Sequence, residues 1–109
     1  MYKFKSRATG DLIMLEPNGR QILKILGRTD AAAQVQGILL PEQMPQAIAA
    51  LQAAIATEAQ QREELLQQAR DNNEPAPRFE GISLRQRALP FIEMLQRCHE
   101  ADREIVWGV

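Results

Sequence analysis

The sequence predicts an α+β fold in which a small antiparallel sheet packs with three helices. Both ends of the chain carry strand-type patterning, the interior carries three stretches of helical apolar spacing, and turn-forming residues separate most of them. At 109 residues the chain has room for one core, so residues 1–109 are expected to form a single domain.

Residues 2–7 open the sheet. Tyr2, Phe4 and Ser6 alternate with Lys3, Lys5 and Arg7, the period of a strand with one wet face. Thr9 and Gly10 supply the turn, and residues 11–15 return as DLIML. That second run is apolar on both faces, which predicts a more central position than the first strand, with cover on each side. Pro17, Asn18 and Gly19 are expected to end it.

Helical spacing then begins at about residue 19, with Ile22, Leu23, Ile25 and Leu26 forming one stripe and Gly27 standing as the stop. A loop leads to Gly37–Leu40, readable as a short strand or as a buried connection. The longest helix, about 43–70, starts near Pro41 or Pro45. Ile48, Leu51 and Ile55 suit its first half to docking, whereas its second half is polar apart from Leu65 and Leu66. Two charges, Glu58 and Arg62, interrupt the seam that a coiled coil would need, and instead form a favourable i,i+4 pair. Residues 71–80 (DNNEPAPRFE) read as a mobile loop.

Ser83 is a plausible N-cap for the last helix, about 84–101. Leu84, Ala88, Phe91, Ile92, Leu95 and Cys98 mark its buried face, with Leu89 and Met94 widening it. Pro90 falls inside this pattern and predicts a kink or a split. The closing run, residues 104–109, is expected to join the N-terminal hairpin as a third strand and to carry Trp107 into or over the core.

Composition narrows the function classes. An apolar share of 45% and a charged share of 25% are those of an ordinary globular domain, and no apolar run approaches the length that spans a bilayer. The first residues lack the apolar core of a secretory signal, and one cysteine, Cys98, rules out an internal disulfide framework. A reduced, cytoplasmic setting with no membrane partner is the expectation. Charge is uneven: six basic residues face two acidic ones over residues 1–28, three face eight over 29–80, and four face four thereafter. The chain is dipolar rather than polycationic, so bulk charge does not favour nucleic acid.

Chemistry is sparse. His99 is the only histidine, and its neighbour Cys98 would point about 100° away on a helix, a poor nucleophile and base pair. No second histidine or cysteine offers a metal set, and the six glycines are scattered singly, without a phosphate-cradling pattern. No catalytic residue, metal ligand or cofactor site is assigned, although a carboxylate metal site formed by folding stays open. Lys3, Lys5 and Arg7 would lie about 7 Å apart on one strand face, near phosphate spacing, with Arg85 and Arg87 able to extend the row. The same lysines also suit a first strand that must resist edge pairing. Leu65 and Leu66, adjacent on a wet helix, are candidates for contact with a protein partner or a second copy.

The stretches FKS (residues 4–6), ILLPEQMPQAIAAL (38–51), SLRQRALPFIEML (83–95) and the closing VWGV resemble a family of short proteobacterial proteins, domain of unknown function 1840. The resemblance is weakest from about Thr57 to Glu80. It implies a small stand-alone protein with no characterised activity, and it carries no site residues across. The expected function is a non-enzymatic cytoplasmic module for protein interaction or self-interaction. A nucleic-acid-associated module using the basic strand face is the alternative, and an enzyme comes third.

Overall fold

A computed structural model describes residues 1–79 and 83–109. In chain order it contains β1 (Tyr2–Lys5), β2 (Leu12–Met14), α1 (Glu16–Ile25), α2 (Ala31–Val35), β3 (Gly37–Leu39), a 3-10 turn (Pro41–Gln43), α3 (Met44–Asp71), α4 (Leu84–Ala101) and β4 (Ile105–Trp107). The α+β class holds, and the two ends of the chain pair as expected. β4 lies antiparallel to β1 with Phe4 opposite Trp107 and Lys5 opposite Val106.

The order across the sheet is β2-β1-β4-β3. Two expectations fail here. β1 is interior, so its lysines do not guard an edge, and β2 is an edge strand rather than a central one. Nor is β2 covered on both sides: Met14 is buried, while Ile13 is 54% exposed. A run apolar on both faces fits either a doubly covered strand or a strand with one apolar face left open, and periodicity does not separate the two.

Directly opposed residues of an antiparallel pair share a face. Tyr2, Phe4, Leu12, Met14, Leu39, Ile105 and Trp107 therefore point to one side, where Phe4 meets Phe91 of α4 edge-on at 4.8 Å. Helices cover that side in a second layer, the arrangement of an antiparallel sheet with its helices segregated to one face. Gly19 of α1 lies against the Tyr2 ring so closely that a Cβ would overlap it. The lone tryptophan is fully buried, tilted against Phe4 at 5.9 Å, and its Nε1–H donates to the carbonyl of Ala33 at 2.9 Å.

Local signals explain most boundaries. α1 begins at Glu16, three residues earlier than expected, because Pro17 occupies the first turn, where its missing N–H breaks no bond. The Pro-Asn-Gly run is thus a helix start, not a strand stop. Gly27, at φ 84°, ends α1: its N–H goes to Lys24 O and that of Arg28 to Leu23 O. The five-residue α2 was hidden in a stretch read as loop, its signal being Asp30 followed by three alanines. Gly37–Leu39 resolves as a strand. The hairpin is looser than expected, since its last pair is Phe4 with Leu12 and residues 5–11 form the connection.

α3 spans 28 residues, about 42 Å at the usual rise, and sets the 52 Å long axis. Its first half docks through Met44, Ala47 and Leu51, and most of its second half is exposed. Residues 74–79 follow without regular structure, and Arg62 lies 4.8 Å over the Phe79 ring. Glu80, the last residue of the expected mobile loop, lies outside the described residues.

α4 runs as one unbroken helix through Pro90, whose ring is exposed. Ser83 caps it by accepting from Gln86 N, as its position suggested. Glu58 of α3 adds a second cap: its Oε1 accepts from Leu84 N at 3.0 Å while holding Arg62 at 3.2 Å. A carboxylate there satisfies an orphan N–H and faces the positive end of the helix. Leu89 departs from expectation, since it is 44% exposed rather than part of the buried face.

Three substitutions test this packing. Trp107→Ala is expected to lower the urea unfolding free energy by about 3–5 kcal/mol, and an effect below about 1 kcal/mol would contradict the burial of the indole. Gly37→Ala puts a methyl into the Trp107 ring and should cost about 1–3 kcal/mol; an unchanged midpoint would show that the indole sits elsewhere. Glu58→Ala should cost about 0.5–2 kcal/mol through the lost cap, and a neutral result would remove Glu58 from the start of α4.

Candidate functional site

The five basic residues proposed as one patch are dispersed by the fold. Lys3 and Lys5 lie in β1 and share the face opposite Phe4. Arg7 lies beyond the end of β1, so it does not continue their row. Arg85 and Arg87 belong to α4, which packs on the Phe4 side of the sheet, and they cannot extend a row on the other side. The two also diverge from each other. Arg85 borders a hollow with Ile55, Leu89 and Ile92, whereas Arg87 reaches toward β2 and donates from Nη1 to Asn18 Oδ1 at 3.1 Å. Lys5 is itself engaged, its Nζ donating to the backbone oxygen of Val109 at 3.0 Å.

Leu65 and Leu66 do not form a joint exposed patch. Leu65 is 47% exposed, and Leu66 is partly covered. Cys98 is fully buried in the core with its Sγ–H directed at Ser6 Oγ, 3.2 Å away, and His99 is exposed in the last turn of α4. Among the described residues no three of His, Cys, Asp and Glu converge as a metal-binding group. No helix is long and apolar enough to cross a membrane.

A hollow of about 510 Å³ lies between the end of α1 and the start of α3. Its one charged side chain is Arg28, which is already committed: Nη2 donates to Ile38 O at 3.2 Å and to Gln43 Oε1 at 3.4 Å, and the guanidinium lies 5.7 Å from the Trp107 ring centre. The charged side chain of this hollow thus serves the junction of α1, β3 and the turn before α3.

The uncovered face of the sheet has a different character. It displays Ile13 from β2, Lys3 and Lys5 from β1, Val106 from β4 and Ile38 from β3. Leu15 and Leu40 continue the same alternation in extended backbone, and both are exposed. β2, β4 and β3 thus contribute aliphatic side chains to this face, and β1 contributes two lysines. Sequence reasoning named the lysines but missed the isoleucines and Val106. Their signal was present in the apolar outer positions of DLIML and of the closing run, but strand order was needed to show that nothing covers them.

No curated protein and no solved structure matches the chain. A family model does match over residues 1–107, and by that match the chain belongs to the family described as a domain of unknown function, DUF1840.

Proposed function

We propose that this chain is a non-enzymatic module that binds a partner protein through the uncovered face of its sheet. One observation carries the reading: Ile13 and Ile38 are 54% and 44% exposed on a face to which all four strands contribute. Exposed aliphatic side chains gathered on one face of a sheet are the kind of surface that marks contact sites. Lys3 and Lys5 lie on interior β1 between the two isoleucines and favour a partner surface that sets acidic groups between apolar ones. They also disfavour pairing of two copies face to face, which would set like charges against each other.

Nucleic acid is the weaker reading. Sheet surfaces that bind single strands stack bases on aromatic side chains. Here Tyr2, Phe4 and Trp107 all point to the helical side. A bacterial cytoplasmic setting belongs to the same proposal, supported by the single cysteine.

A photo-crosslinking residue placed at Ile38 in the native cell tests this reading, with the same residue at Leu65 as the comparison. The expected result is a protein adduct of one defined mass from Ile38, weakened when Lys3→Glu reverses a charge on the same face of the sheet, and none from Leu65. Adducts from Leu65 alone would move the contact to the distal part of α3 and overturn the assignment to the sheet.

A further inference from the structure

The two edges of the sheet are finished differently. At β3, Arg28 donates to the carbonyl of Ile38, Gln43 Oε1 accepts from Leu40 N at 2.9 Å, and Pro41 follows. That edge is closed to a further strand. At β2 nothing equivalent occurs. Among the described residues the strand has a partner only on the β1 side, and no side chain hydrogen-bonds to the backbone of Leu12–Met14. Residues 11–15 also contain none of the lysine or proline that usually blunts an exposed edge.

Beside this edge runs a groove. One wall is Leu12–Leu15 and the other is Gln86, Arg87 and Pro90 of α4, enclosing about 310 Å³. Past Leu12 and Pro90 it continues into a second hollow of about 240 Å³ between Thr9–Asp11 and Glu93–Arg97. An edge strand flanked by a helix is the setting in which an extended peptide adds to a sheet, taking main-chain bonds from the strand and side-chain contacts from the groove.

The helical wall also offers polar groups. Pro90 has no N–H, so the carbonyl of Gln86, four residues before it, has no helical donor. Arg87 is held by Asn18 through Nη1, while its Nε is buried without an acceptor among the described residues. Arg87 Nη2 is neither bonded nor buried among the described residues, so a carboxylate can bond to it and leave the Asn18 bond intact.

From these features we infer that the open edge of β2 takes an extended, carboxylate-bearing peptide as a fifth strand, with its carboxylate received by Arg87. The inference rests on the reading of the chain as a protein-binding module, but it uses a different surface. The two walls give the added strand its chemistry: apolar beside Leu12, Leu15 and Pro90, and acidic where it passes Arg87.

The test is selection of displayed random heptapeptides on the immobilised full chain, followed by titration of the synthetic winners into the isotope-labelled protein. Expected are peptides that combine β-branched residues with Asp, Glu or a free C-terminus and that shift the amides of Leu12–Leu15. Arg87→Gln should weaken them by about tenfold or more, as should replacing the peptide carboxylate by carboxamide, with Arg87→Lys intermediate. A thermal melt establishes that each variant is folded, and the carboxamide peptide probes the same contact on the unaltered protein. No enriched peptide, binding indifferent to Arg87→Gln and to carboxamide, or shifts confined to Ile38 and Val106 would overturn the inference; the last would still leave the sheet-face reading standing. Pairing of two copies through β2, seen as the same amide shifts on concentrating the protein alone, would also overturn it. Ile38→Asp separates the two surfaces: it should abolish the sheet-face adducts and leave peptide affinity unchanged.

Discussion

The fold depends on how Trp107 is seated. Its strand pairs with the strand nearest the other end of the chain, and its indole fills the space beside Phe4 over Gly37, a position with no Cβ to obstruct it. The Nε1–H finds the carbonyl of Ala33, so the ring's one polar atom is satisfied within the core. Because β4 lies between β1 and β3, the same residue joins the first strand, the last strand and the connection through α2. Long-range pairing of this sort costs chain entropy, and burial of a large aromatic ring among other apolar groups offsets it.

Placing that core on one face determines the character of the other. All the aromatic rings of the strands are drawn to the helical side, and the outer side keeps aliphatic residues with two lysines. The edges are equally uneven. Arg28, which stacks near Trp107, also closes the β3 edge, so one side chain contributes to both core and boundary. β2 receives no such treatment. The sheet face left uncovered is therefore a consequence of where the tryptophan lies.

Much of the architecture was legible in the residues. The alternation at 2–7, the helical spacing of 84–101, the capping role of Ser83 and the strand character of the last residues all reappear with modest boundary shifts. These signals are local, and local patterns survive folding when tertiary packing agrees with them. What was illegible was order in space. Nothing in DLIML says whether its second apolar face meets a helix or water, and nothing in Lys3 and Lys5 says whether their strand is first or second from the edge. The candidate site suffered most for this reason. The basic row assumed that Arg85 and Arg87 share a side of the sheet with the lysines, whereas Phe91 on the same helix packs against Phe4 and places them on the opposite side. Leu65 and Leu66 were chosen as neighbours in sequence, yet adjacent helical positions diverge, and only one of them is well exposed.

Hydrogen exchange resolved by residue tests the central claim, that β1 and β4 form the interior of the sheet while β2 is an unfinished edge. The account predicts that the amides of Phe4, Lys5 and Ile105–Trp107 are among the slowest in the chain and that β2 retains faster-exchanging positions on its outer side. Exchange at Ile105–Trp107 as rapid as that of residues 74–79 would contradict it.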